Sequence, residues 1–386
     1  MKIAMMVRAY LASPVPNDIA YSPTGVAVAV AEGLAAAGHE VTFFGPEGTK
    51  LHNVTVETCG LRPVAQTDQQ FHDFIATTDL FSDYLPSLYD QHMAKTMFQR
   101  AQAGDFDALI FHHPESAMGY AELYPTVQVF YILHDYLDER RRQVIEMHHS
   151  PNQHFISISN SQRRDAPDLS YAATIYNGID TTQFAYSEQA EDYLMFAGRI
   201  VHEKGLREAV RVALKTDRRL IVTGQLPPTS RWYFDEHVKP HLSDKILYLG
   251  MIDKDQLAKY YQKAAALLVP IHWEEPFGLT MAEAMSCGTP VIAFRRGSVP
   301  EVVIDKKTGY IVESTADMID AVGKIKKLNR YDCRLHVEQH FTTQRMVANY
   351  EALLKSRIKQ QQKTKAPKLL KGARRISEKI VDQLVR

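Results

Sequence analysis

Short unbroken apolar runs alternate along the chain with longer stretches in which apolar residues recur every three or four positions. The runs fall into two series. The first is KIAMMV (2–7), EVTFFG (40–45), ALIF (108–111), VQVFYIL (127–133) and FISIS (155–159). The second is DYLMFAG (192–198), RRLIVTG (218–224), ILYLG (246–250), AALLVP (265–270), PVIAF (290–294) and GYIVE (309–313). Strands without polar alternation are buried on both faces, as in parallel sheets, and helical stretches between them predict repeated βαβ units. VAVAVAEGLAAAG alternates like a strand, yet Val26, Val30 and Leu34 also keep helical spacing. Its alanine content, and Gly38 as a C-terminal cap, decide for helix. Two series of strands predict an α/β chain of two doubly wound domains. The seam is expected in ATIYNGIDTTQF (173–184), where Asn177-Gly178 marks a turn. The expected division is 1–172, 173–343, an amphipathic helix over 344–358 that packs back on the domains, and a tail from 359 to 386.

A length of 386 residues favours two domains over one. Cys59, Cys287 and Cys333 are few, odd in number and far apart, which fits a reducing compartment without a disulfide framework. No CxxC pair suggests structural zinc. The N-terminus faintly mimics a signal peptide, but Arg8 interrupts its short apolar run, and KIAMMV reads as a first buried strand. No stretch approaches the ~18 apolar residues of a membrane span, so the chain reads as soluble and cytoplasmic. The net charge of zero singles out no partner, nucleic acid included, but it hides a polarised chain. From Lys355 to Arg386 there are eleven Lys or Arg against two acids, Glu378 and Asp382, a net +9 that leaves −9 on the rest. Within the tail, Leu369, Ala373, Ile376, Ile380 and Leu384 recur at helical spacing. That pattern suits peripheral contact with an anionic membrane surface, and a solvated tail equally suits its Lys- and Gln-rich composition.

Candidate chemistry gathers where strands end. In EEPFGLTMAEAMSCGTPVIAF (274–294), a helix is expected to start at Gly278 or Leu279, just beyond the strand that ends at Pro270. Unpaired amides of Phe277 to Thr280 would then face an anion at the positive end of a helix dipole. Gly278 allows close approach. Glu275 lies before the helix and Glu283 one turn inside it, flanking that anion with carboxylates that can accept bonds from sugar or ribose hydroxyls. Thr280 and Glu283 also fit a capping box with no ligand role. In FAGRIVHEKGL (196–206), Arg199 and Lys204 follow a strand end, and Gly205 opens a helix. Two cations there suit a diphosphate, or simply a solvated loop. YSPTG puts Gly25 at the expected opening of another helix, but it lacks GxGxxG and GxxxxGK[ST], which argues against a dinucleotide oxidoreductase or a P-loop enzyme. His134, in YILHDY, follows a strand and could bond a substrate hydroxyl, shuttle a proton or serve structurally. His112 and His113 follow another strand without HExxH or Cys/His spacing, so no metal ligand is assigned. Asp105 and Asp107 of DFD read as a loop leading into ALIF.

FAGRIVHEKG followed about seventy residues later by EPFGLTMAEAMSCGTPVIA resembles the donor-site signature of retaining GT-B glycosyltransferases. The closest likeness is to glycosyltransferase family 4 (glycosyl transferases group 1), whose E-x7-E motif aligns with Glu275 and Glu283. GLAAAGHEVTFFGP and IYNGID also look like that family. The likeness spans about residues 1–355. PTG stands where many members have two adjacent glycines, and the basic tail has no place in the core pattern. The resemblance implies GT-B architecture, two Rossmann-like doubly wound parallel-sheet domains facing a cleft. It implies a nucleotide-sugar donor, most often UDP-linked, and transfer of a hexose to a hydroxyl acceptor with retention. Arg199 and Lys204 would grip the diphosphate with the amides around Phe277, Gly278, Leu279 and Thr280. Glu283 would hold the ribose, Glu275 would contact the transferred sugar, and His134 would face it from the other domain with Gly25 nearby. No metal and no further cofactor are implied. The alternatives are a GT-B hydrolase or epimerase, or a catalytically silent nucleotide-sugar-binding protein.

Overall fold

The computed structural model describes residues 1–9, 11–15, 22–65, 67, 69, 70, 73 and 80–361. One sheet contains β1 (Lys2–Met6), β2 (Glu40–Phe44), β3 (Thr55–Glu57), β4 (Ala108–Phe111), β5 (Val129–Ile132), β6 (Gln153–Ser157) and β7 (Tyr171–Thr174). A second contains β8 (Tyr193–Ala197), β9 (Arg219–Thr223), β10 (Ile246–Tyr248), β11 (Ala266–Val269), β12 (Val291–Phe294) and β13 (Gly309–Val312). Their spatial orders are β3-β2-β1-β4-β5-β6-β7 and β10-β9-β8-β11-β12-β13, with every described pairing parallel. Central strands such as β4, β5, β11 and β12 are buried at every residue. Helices cover both their faces, which is why the apolar runs show no alternation.

The helices that matter below are α1 (Ser22–Ala36), α2 (Leu80–Gln102), α3 (Glu139–Met147), α4 (Leu206–Thr216), α5 (Lys254–Lys263), α6 (Leu279–Ser286), α7 (Arg330–His340) and α8 (343–361). α1 buries Val26, Val30 and Leu34. It ends where Gly38, at φ +87°, donates to the Ala35 carbonyl, so helical spacing prevailed over alternation. α4 buries Leu206, Ala209, Val210 and Ala213 along one stripe.

The two domains are joined twice. The chain leaves the first sheet through Asn177-Gly178, and the returning segment lies beside it. Ile179 donates to the Phe341 carbonyl (2.9 Å) and Thr343 to that of Ile179 (3.1 Å). α8 then packs on the first domain. Val347, Tyr350, Leu354 and Ile358 share a core with Val30 and Leu34 of α1, and Glu351 accepts from His39 Nε2 at 2.9 Å. Gly33 is the close-approach point, where a Cβ would meet the Val347 side chain. Arg330 anchors α7 to four carbonyl oxygens, those of Ser187, Ala264, Gln262 and Cys287.

Some expectations shift. β6 begins two residues earlier than FISIS suggested. β3 and β7 are additional edge strands, short and only partly buried. The first sheet therefore ends at Thr174, inside the expected seam of 173–184 and two residues beyond the expected boundary at 172. Gly25 does not open a helix. α1 is already formed at Ser22, and Gly25 lies exposed in its first turn, where a Cβ would meet nothing within 4 Å. Asp107 accepts from the Lys2 amide (2.8 Å) and Asp105 from Arg100 Nε (2.9 Å), which makes DFD a structural loop. Tail residues 362–386 lie outside the described residues.

Candidate functional site

In each sheet the strand order reverses beside the first strand, between β1 and β4 and between β8 and β11. Ligands of doubly wound sheets bind in the crevice beyond the carboxyl ends of strands at that point. Lys204 follows β8 and Glu275 follows β11, so topology alone brings these two residues, 71 positions apart, to one place.

The local chain then fixes them. Lys204 closes a short 3-10 turn, His202–Lys204, and Gly205 caps α4 at φ +74°. A Cβ on Gly205 would collide with the Pro270 carbonyl. Only glycine lets this turn sit against the end of β11. On the other side, the Gly297 amide donates to Glu274 (2.7 Å), Ser298 N to the Glu275 carbonyl (2.9 Å) and Ser298 Oγ to the Phe277 carbonyl (2.8 Å). Gly297, at φ +52°, has the Glu275 backbone where a Cβ would stand. The loop after β12 thus clamps Glu274–Phe277 from behind. The Phe277 ring is buried in the core against Tyr176 and Phe341.

Within this frame Lys204 Nζ donates to Glu275 Oε2 at 2.5 Å, and both side chains are largely shielded. Trp273 Nε1 donates to the same oxygen at 3.1 Å, and the Lys204 ammonium lies 4.6 Å from the Trp273 ring centre. α6 starts at Leu279, with Gly278 as its N-cap in the left-handed region at φ +81° and no side-chain cap. Among the described residues, the amides of Gly278, Leu279 and Thr280 donate to nothing. Thr280 is the second helical residue rather than the cap, so the capping-box alternative for Thr280 and Glu283 is not what the helix uses. Three free amides at a positive dipole end, beside a lysine, are groups that can receive an anion. Arg199 is exposed and pairs with no carboxylate among the described residues.

Glu283 lies one turn inside α6 and is half-buried, with Tyr261 and Lys254 near its carboxyl. Burial raises its carboxyl to about 7, offset in part by the positive charge of Lys254 and by the hydroxyl of Tyr261. That hydroxyl is itself fully buried.

The first domain contributes a histidine cluster. His134, after β5, places Nε2 2.7 Å from Nδ1 of His112, after β4, and the two rings lie nearly parallel at 8°. Burial lowers the pKa of His134 to about 4, and that of His112 and His113 well below the ordinary value. A neutral His134 is thus a hydrogen-bonding group, not a cation, at neutral pH. Among the described residues no group of three His, Cys, Asp or Glu is arranged to hold a metal ion.

The domains meet around this site. The Glu301 carboxylate, from the second domain, accepts from the amides of Asn160 (2.8 Å) and Ser161 (2.6 Å) and from the Tyr176 hydroxyl (2.8 Å). Tyr136, Ser161, Gln162 and Asp165 face Glu274, Glu275 and Pro276 across a narrow gap. The structure therefore unites Lys204, Glu275, Gly278, Leu279 and Thr280, with Glu283 on the same helix. His134 stands on the opposing domain, and Gly25 makes no contact that ties it to the others. Sequence reasoning missed Trp273, Gly297, Ser298 and Glu301. A tryptophan two residues before the motif glutamate was the one visible sign.

Two parallel-sheet domains joined in this way, of seven and six strands, have the architecture of the GT-B glycosyltransferases. The Glycosyltransferase Family 4 model matches residues 25–183, and the Glycosyl transferases group 1 model matches residues 180–332. The chain belongs to family 4 of the GT-B glycosyltransferases. It is 30% identical over 209 residues to the D-inositol 3-phosphate glycosyltransferase of Mycobacteroides abscessus, covering 49% of this chain and 45% of that one. It is also 30% identical over 153 residues to the glycogen synthase of Mycobacterium tuberculosis, covering 37% and 36%. The chain thus spans less than half the length of these curated relatives. Among solved structures, sucrose-phosphate synthase from Thermosynechococcus elongatus has a TM-score of 0.71 at 20% identity, over 92% of this chain and 98% of that one. Anabaena HepE in complex with UDP-glucose has a TM-score of 0.68 at 15% identity, over 92% and 100%. At those identities the likeness is one of fold.

Proposed function

We propose that the protein transfers a hexose from a UDP-linked sugar, UDP-glucose or a close relative, to a hydroxyl acceptor, with retention and without a metal. One observation carries this reading: Lys204 and Glu275 meet beside the three free amides that open α6. In use, Lys204, Arg199 and the amides of Gly278 to Thr280 hold the diphosphate and neutralise the charge that grows as it leaves. Glu283 accepts the ribose hydroxyls, and Glu275 accepts from hydroxyls of the transferred sugar. Neutral His134 bonds the sugar from the first domain. Retention follows if the acceptor attacks on the face from which the phosphate departs, with that phosphate taking the acceptor proton. The crystals of HepE with UDP and with UDP-glucose support a UDP-linked donor. The acceptor binds against the first domain.

No helix among the described residues is long and apolar enough to cross a membrane. The reading places the enzyme in the cytoplasm, with the basic tail touching the anionic inner face of the membrane.

Titration of UDP into two variants tests the donor site. Glu283→Ala removes charge-assisted hydrogen bonds worth ~1.5–3 kcal/mol, so UDP affinity should fall roughly 10- to 100-fold. Glu275→Ala should leave UDP affinity near wild type and lower turnover. UDP affinity and turnover near wild type in both variants would overturn the assignment.

A further inference from the structure

Glu275 and Lys204 are opposite charges in contact, and a donor needs both for different purposes: the carboxylate for the sugar, the ammonium for the diphosphate. A carboxylate left alone would follow the ammonium. Trp273 is placed to prevent this. Its indole N–H donates to Glu275 Oε2 at 3.1 Å, while its ring lies under the Lys204 ammonium at 4.6 Å. Oε2 therefore receives two donors, at 2.5 and 3.1 Å, and Oε1 accepts nothing among the described residues. The backbone of Glu275 is held separately by Ser298 and by the close approach of Gly297. The indole thus governs the side chain and not the loop.

We propose that Trp273 is a positioning residue for donor recognition. Its N–H fixes the Glu275 carboxylate so that Oε1 faces the sugar hydroxyls, and its ring supports Lys204 as the ammonium turns toward the diphosphate. When the phosphates draw Lys204 away, the indole bond remains, so Glu275 stays in register without its cation. The proposal rests on the donor-site reading above. It adds that discrimination between a nucleotide sugar and the bare nucleotide depends on the indole N–H.

Two variants separate the N–H from the ring. Trp273→Phe keeps an aromatic face under Lys204 and removes the donor; Trp273→Leu removes both. Calorimetric titrations with UDP and with UDP-glucose should show Trp273→Phe within about twofold of wild type for UDP and roughly tenfold weaker for UDP-glucose. Trp273→Leu should weaken UDP as well, by about three- to fivefold. UDP-glucose affinity at the wild-type level in Trp273→Phe, or equal loss of both ligands, would overturn the proposal. A ligand-free readout keeps the two readings apart. The chain has two tryptophans, so in a Trp232→Phe background one indole N–H resonance remains. It should shift on Glu275→Gln, and an unmoved resonance rejects the contact whatever the protein binds. A shifted resonance in a protein that binds neither ligand rejects the donor-site reading and the positioning role with it, while the contact stands.

Discussion

Lowering the pH should weaken donor binding through Glu283. Its carboxyl sits at about 7 because burial outweighs the help of Lys254 and Tyr261. Only the ionised form accepts two ribose hydroxyl bonds in full. At pH 8 about nine tenths of the ligand-free protein is ionised, and deprotonation costs almost nothing. At pH 5.5 only ~3% is ionised, and restoring the carboxylate costs ~2 kcal/mol at ~1.36 kcal/mol per unit, an upper limit of ~30-fold in affinity. The assay is calorimetric titration of UDP-glucose between these values, because the terminal phosphate of UDP itself titrates near pH 6. Stability should move the other way. The carboxyl is raised above its unfolded value, so its unfavourable contribution is absent below about pH 4 and develops in full by about pH 7. Glu283→Gln should therefore stabilise the ligand-free protein at pH 8 by ~1–2 kcal/mol, reduced because the residue borders solvent, while weakening donor binding. Equal UDP-glucose affinity at both pH values in wild type, or the same pH slope in Glu283→Gln, would refute the reasoning.

Gly205→Ala should destabilise the protein by about 3 kcal/mol or more, since it sets a side chain at φ +74° against the Pro270 carbonyl, and it should weaken UDP binding by displacing Lys204. An unchanged urea midpoint would contradict this. Deleting residues 362–386 should lower binding to anionic liposomes, with each Lys or Arg near the surface contributing about 1 kcal/mol, and should leave UDP-glucose affinity intact. Liposome binding at the full-length level would remove the membrane role of the tail.

Most of the fold was legible because buried parallel strands write their burial into the sequence as unbroken apolar runs. The strands that escaped, β3 and β7, are partly exposed edges whose residues need not be apolar. Gly25 misled because a glycine after a long loop looks like a helix opening, whereas Ser22 and Pro23 already begin the turn. At the site, Gly278 beyond the strand end at Pro270 marked the helix start, but the Lys204–Glu275 contact depends on strand order, which no local pattern encodes. Trp273, Gly297 and Glu301 act through contacts of the folded chain with residues in other loops, and their local sequence carries no sign of those partners. The pairing of His134 with His112 joins the ends of β4 and β5, and it likewise appears only once those strands lie side by side.

The most direct test of the account is release of UDP from UDP-glucose in excess EDTA, measured with and without a panel of hydroxyl acceptors, for wild type and Glu275→Ala. The account predicts release by wild type that requires an acceptor, persists in EDTA and falls sharply in Glu275→Ala. Release at the same rate without an acceptor would make the protein a hydrolase. Release abolished by EDTA and restored only by Mg²⁺ or Mn²⁺ would contradict the role given to Lys204, Arg199 and the amides of α6.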